Sequence, residues 1–138
     1  MRMKPVEIVR ETLRQADGAS ERERTVLEGV RHRRGEKIYL QFKEVLAEEM
    51  DAVPTLLTVE NGGVWLHRKG DVGGDMLFAA GKRTAVAYRT PMGMLDLEID
   101  TKRVDVFISE DILEIELKYN LIANEELLSE IEMNIRAE

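Results

Sequence analysis

The sequence predicts an all-β protein, a single antiparallel up-and-down β-barrel over residues 1–138, and three observations predict it. Thr55 to Glu60 and Val64 to Arg68 both alternate apolar with polar residues on either side of Asn61-Gly62-Gly63. An Asn-Gly pair between two runs of β-formers is the strongest short-range hairpin signal. The same period-two alternation recurs to the end of the chain and is longest at Leu113, Ile115, Leu117, Tyr119 and Leu121. The turns between these runs are short, so neighbours in sequence are neighbours in space. About ten strands with one apolar face each hide those faces and their open edges by closing into a barrel. A two-sheet sandwich is the alternative, and the short turns favour the meander.

Taken in order, Pro5 to Arg14 is strand-like, with Val6 and Ile8 on one face, and Asp17-Gly18-Ala19-Ser20 is turn chemistry. Glu21 to Arg24 is a charge run and Thr25 to Arg33 a second strand. Arg33 to Lys37 reads as a hairpin tip, and Ile38 to Lys43 alternates cleanly. Residues 44–52 read as a short helix or a loop, closed by Pro54. Met76 to Phe78 and Thr84 to Thr90 follow the opening hairpin, and Pro91-Met92-Gly93 turns. Leu95, Leu97 and Ile99 mark one further strand, and Val104, Val106 and Ile108 another. Ser109-Glu110-Asp111 turns again. Helix formers fill Glu125 to Glu132, but the last strand of a meander needs a partner, so Leu127 to Ile135 is read as strand.

Composition narrows the function classes. The chain of 138 residues is long enough for a real core, and it has no cysteine, which removes disulfides, thiol chemistry and thiolate metal sites. The cytoplasm is the expected compartment. No signal peptide and no membrane span are expected. A net charge of −7 argues against nucleic acid as the main partner. No cofactor and no metal are expected. Asp96, Glu98 and Asp100 share a strand face at spacing two, which a solvated outer face explains. Gly70 to Gly74 lacks the Lys and the following helix of a phosphate loop. His32 and His67 read as surface residues, and no nucleophile–base pair forms with the three serines, so catalysis is not expected.

A family resemblance covers roughly Glu28 to Ile135. Glu28-Gly29, Tyr39-Leu40, Phe42, Glu44, Thr55 to Val59, Arg68, Gly70, Met76, Phe78 and Gly81 carry it, as do Tyr88 to Gly93, Thr101 and Tyr119-Asn120-Leu121. In these the chain resembles the YwiB-like family, small bacterial proteins described only as a domain of unknown function. The resemblance implies a calycin-type barrel, similar to lipocalins and fatty-acid-binding proteins, and implies no activity. Phe42-Lys43 stands where the family tends to have a tyrosyl and an acidic residue, and Ser109-Glu110-Asp111 where it tends to have glycines.

Strand parity yields one candidate site. In an up-and-down meander, Glu44, Arg68, Tyr88 and Thr90 face inward near one rim. A carboxylate, a guanidinium, a phenol and a hydroxyl thus converge on the mouth of an aliphatic barrel. Glu44 and Arg68 lie two strands apart, roughly 10 Å between backbones, a span two long side chains bridge. One reading is a structural polar plug. The other is a site where Arg68 receives the headgroup of a small amphipathic or anionic ligand. Tyr119 is expected at the opposite end. Two outer features suit a protein partner or a homodimer: Trp65, which alternates outward, and the basic tip Arg31, His32, Arg33, Arg34 and Lys37.

Overall fold

The computed structural model describes residues 3–46 and 51–138. Every regular element in it is a strand: β1 (Lys4–Ala16), β2 (Ala19–Arg34), β3 (Lys37–Glu44), β4 (Val53–Glu60), β5 (Gly63–Arg68), β6 (Met76–Phe78), β7 (Arg83–Thr90), β8 (Gly93–Ile108), β9 (Leu113–Ala123) and β10 (Glu126–Ala137). They form one antiparallel sheet in the order β6-β5-β4-β3-β2-β1-β10-β9-β8-β7, so the first and last strands pair and the sheet curls into a nearly closed barrel. The gap falls between β6 and β7. It is stitched by a Gly73–Arg89 bridge, with N···O distances of 2.9 Å both ways, and by the Thr84 hydroxyl donating to the Leu77 carbonyl at 3.0 Å.

Local chemistry explains the hairpins. Asn61 (φ 48) and Gly62 (φ 76) both lie in the left-handed region, the two-residue turn whose twist matches the flanking strands. Asp17 and Asn124 start the same kind of turn at φ 50 and φ 51, where their short polar side chains tolerate the strain.

Three expectations are corrected. The charge run Glu21 to Arg24 lies inside β2, whose residues 20–25 continue their pairing with β1. Charged side chains on both faces hide that strand from a periodicity reading. The segments around Leu97 and Val106 are one strand, β8. A bulge between Thr101 and Arg103 shifts its register against β9. The extra residue exchanges the two faces, which is why the apolar positions change from odd to even numbers. Within 44–52, Glu44 closes β3, Val45 and Leu46 carry no regular structure, and residues 47–50 fall outside the described residues.

The core is aliphatic and continuous. Ile8, Leu40, Leu57, Val64, Ile99, Leu113 and Ile115 are fully buried, with Phe78 and Tyr119 packed ring against ring at 4.8 Å. At roughly 1.5–3 kcal/mol per buried large side chain, this interior dominates the stabilising terms. A second bulge, between Leu127 and Ser129, turns Leu127 outward to solvent while Ser129 goes inside.

Candidate functional site

The fold brings Glu44 and Arg68 together. Glu44 ends β3 and Arg68 ends β5, both on the inward phase, with Thr55 of β4 directly paired to Arg68 between them. Arg68 Nε donates to Glu44 Oε1 at 2.8 Å, and the Thr55 hydroxyl donates to the same oxygen at 2.8 Å. The other carboxylate oxygen, Oε2, accepts from Arg10 Nη1 at 2.6 Å. Side-chain exposure is 1% for Glu44, 11% for Arg68 and 17% for Arg10. This is a buried carboxylate held by two guanidiniums.

The electrostatics follow. Burial pushes the Glu44 carboxyl up. Hydrogen bonds and charge from Arg68, then from Arg10, outweigh it, and the net shift is downward. The carboxylate is therefore ionised at neutral pH, and the three charged groups sum to one positive charge. Arg14, four residues beyond Arg10 and in the same strand phase, is exposed and adds another.

A loop roofs this plug. Arg89 Nη2 donates to the Arg68 carbonyl at 3.0 Å and Nε to the Gly70 carbonyl at 3.1 Å, holding residues 70–74 over the rim. Gly73 sits at φ 95, and a Cβ there would lie 2.6 Å from Arg68 Cδ and 3.0 Å from Leu46 Cδ1. Only glycine allows the loop and the guanidinium to pack so closely.

The remaining expected site residues are placed differently. Tyr88 is half-buried against the core, near enough to Tyr119 for the two phenols to influence each other. Thr90 turns to its own hairpin, its hydroxyl donating to the Gly93 carbonyl at 2.8 Å and accepting from Met92 N at 3.2 Å. Tyr119 is corrected from the far end. It lines an internal cavity of about 40 Å³ together with Arg10, Arg68, Leu57 and Phe42. The pairing Thr101↔Tyr119↔Ile131 places it there, a register that only the β8 bulge reveals. Arg10 and Thr55 were missed. Arg10 extends the Val6, Ile8 phase by one step, so parity alone could have found it.

Elsewhere, His67 Nδ1 lies 2.8 Å from Asp75 Oδ1 on the surface, and His32 stacks on Tyr39 at 4.9 Å on the outer wall. Among the described residues no cluster of three His, Cys, Asp or Glu could hold a metal ion. Among the same described residues no helix is long and apolar enough to cross a membrane.

Comparison with known proteins agrees with the barrel fold. The chain is 28% identical over 90 residues to the uncharacterized beta-barrel protein YwiB of Bacillus subtilis (strain 168), a stretch covering 65% of this chain and 62% of that relative. The crystal structure of ywiB protein from Bacillus subtilis superposes with a TM-score of 0.88, covering 99% of this chain and 92% of that one, at 24% identity. Residues 6–135 match the family described as Domain of unknown function (DUF1934), and the chain belongs to that family, whose YwiB-like members share this barrel.

Proposed function

We propose that this protein is a non-catalytic, cytoplasmic interaction module whose barrel is a filled scaffold and whose outer wall docks a protein partner. The observation that carries this reading is the interior. Sites for small molecules run to roughly 300–1,000 Å³, whereas the internal cavity beside Arg68 holds about 40 Å³. Arg68 is already engaged by Glu44, so an amphipathic molecule has no room for its tail and must compete with a carboxylate for that guanidinium.

The two outer walls differ in a way that supports docking. Across β2, β1, β10, β9 and β8 runs a row charged at every position but Leu13, namely Arg22, Leu13, Glu132, Lys118 and Arg103, laced by Lys118–Glu132 and Arg103–Glu116 pairs at 3.8 and 3.3 Å. Across β2 to β6 the corresponding row is His32, Tyr39, Thr58, Trp65 and Leu77. Trp65 in that row is 48% exposed, and Leu56 on the neighbouring strand is half-buried. Exposed tryptophan within a patch of partly apolar side chains is the usual anchor of an interface. The basic tip has less to offer: Arg31 Nη2 donates to the Ser109 carbonyl at 2.7 Å and Arg33 Nε to the Gly35 carbonyl at 2.8 Å.

Sedimentation equilibrium of wild type and Trp65→Ser tests self-association first. Binding of partners purified after capture, compared between wild type, Trp65→Ser and Arg33→Glu/Arg34→Glu, tests the rest. A loss of roughly tenfold or more in Trp65→Ser alone is expected. Equal affinity of wild type and Trp65→Ser would sink the docking wall.

A second reading keeps a small anionic ligand at the mouth, over Glu44, Arg68, Tyr88 and Thr90. It is favoured by the surplus positive charge of Arg10, Arg14 and Arg68 and by the exposed Leu95 paired to Tyr88. Such a ligand would lie across the rim, not inside. Thermal shifts with fatty acids, acyl phosphates and nucleotides test it; stabilisation undiminished in Arg68→Leu would remove this site.

A further inference from the structure

We propose that two copies of this chain join edge to edge along the second half of β8, Arg103 to Ile108, in a symmetric antiparallel pair centred on Val106. This interface is separate from the Trp65 wall and from the rim, so it goes beyond both readings above.

Among the described residues, β8 pairs only with β9 from Arg103 to Ile108. The last bonds on its other side are those of Thr101 with Gly81 and Lys82. The opposite boundary of this part of the sheet is β2, which pairs only with β1 from Ser20 to Glu28. An unpaired edge offers a row of N–H and C=O groups to another strand. The two edges are guarded differently. β2 carries Glu21, Arg22, Glu23 and Arg24, and a symmetric pairing centred on Arg22 or Glu23 sets like charges face to face. β8 carries Val104, Val106 and Ile108 on one face and the exposed Phe107 on the other. No charge blocks the middle of that edge.

The ladder with β9 decides which backbone groups are free. Ser109 N–H donates to the Ile112 carbonyl at 2.8 Å, and the same register continues through Ile108↔Leu113 and Val106↔Ile115. Facing residues in an antiparallel pair alternate between exchanging hydrogen bonds and turning their backbone groups away. Phe107, Asp105 and Arg103 therefore bond toward β9, while Val104, Val106 and Ile108 turn their N–H and C=O outward.

A second copy satisfies those groups in one register. With Val106 opposite its own copy, Val104 meets Ile108, and all three outward residues exchange bonds with one another. The same register sets Asp105 opposite Phe107 and Arg103 opposite Ser109, with no like charges face to face. Asp105 is in addition paired to its own Arg103. Neighbouring centres do worse. Centring on Asp105 opposes two carboxylates, and centring on Phe107 takes Val104 past the strand end, opposite Glu110. The edge is complementary to itself, which makes a second copy its occupant and a closed dimer the product.

The test uses the intact chain, which has no cysteine of its own. Wild type at high micromolar concentration is expected to sediment as a dimer. Val106→Pro removes an N–H that bonds nothing within the chain, a change that an edge strand tolerates. Phe107→Glu sets a carboxylate opposite each Asp105 from an exposed position. Each should raise the dimer dissociation constant roughly tenfold or more, with the circular dichroism of the barrel retained. Trp65→Ser should leave it unchanged. Val106→Cys reads the register: a hydrogen-bonded pair holds its Cα atoms about 5.5 Å apart, within disulfide reach, so mild oxidation should link two copies. Val104→Cys should not link, because its copies lie roughly 14 Å apart along the strands. A monomeric wild type would overturn the proposal. So would a dimer that survives both Val106→Pro and Phe107→Glu, one lost in Trp65→Ser, or equal cross-linking of the two cysteine variants.

Discussion

Arg10 Nη1 lies 2.6 Å from Glu44 Oε2, a contact between the first strand and the third across thirty-four residues of sequence. Strands β1 and β3 are not neighbours in the sheet; β2 separates them. The β2–β3 pairing stops at Gly29↔Phe42, two residues short of Glu44. On the β2–β1 side the end of β3 is thus held by charge, while on the other side its ladder with β4 continues to Glu44↔Val53.

The first prediction concerns this junction. Glu44→Gln leaves two guanidiniums facing a neutral amide in a site that admits little water. Removing one partner from a buried ion pair costs about 3–5 kcal/mol. Urea unfolding should show a loss of that order. The variant Arg10→Met/Glu44→Leu/Arg68→Met replaces the whole cluster with apolar groups of similar bulk and should recover most of it. If the triple variant is less stable than Glu44→Gln, the cluster stabilises through more than mutual neutralisation.

Acid should act through the same carboxyl. Its pKa is lowered in the folded protein, so its contribution is fully present above the unfolded carboxylate value, about 4.3. The contribution is lost as pH falls from there through the lowered folded value. Wild type and Glu44→Gln should therefore differ most in unfolding free energy near neutrality and converge in acid below about pH 4. A gap that stays constant between neutrality and acid would show that Glu44 acts without its charge.

Parity made half of this legible. Period-two alternation placed Glu44 and Arg68 on the inward phase because each continues a clean apolar run, Leu40-Phe42 and Val64-Leu66. Arg10 was just as legible, but a charged residue at the end of an apolar run reads as solvent-facing unless a partner carboxylate is already in view. Thr90 and Tyr119 failed for different reasons. Thr90 has a competing local partner in its own turn, which side-chain hydroxyls take readily. Tyr119 depends on the height of β9 against β8, and that height is set by a bulge with no sequence marker beyond the change of phase at Thr101. The barrel itself was legible because its turns and faces repeat; its fullness was not, since packing volume depends on all the strands at once.

A glycine pair isolates the loop contact. Gly73 and Gly81 both have positive φ, 95 and 77, but a Cβ at Gly81 meets open space while one at Gly73 meets Arg68. Gly81→Ala should cost about 1 kcal/mol from backbone strain alone. Gly73→Ala should cost about 1–3 kcal/mol more, because Arg68 must leave its place beside Glu44. Equal losses in urea unfolding would mean that the loop yields without disturbing the ion pairs.

The last prediction reads Tyr119 directly. Burial raises its phenol to about 12, above the ordinary value near 10. A group raised in the folded state contributes stability that is intact below the unfolded value and lost as pH climbs through the folded one. Between about pH 10 and pH 12 the wild type should therefore lose stability that Tyr119→Phe does not lose. Tyrosinate absorbance should show the corresponding late titration step in wild type and none in the variant. The phenol is packed against Phe78 and covered by the plug, so the step should also be slow, appearing only as the barrel opens. A rapid Tyr119 step near 10 would mean that solvent reaches the phenol in the folded barrel, and that Glu44, Arg10 and Arg68 do not seal this end.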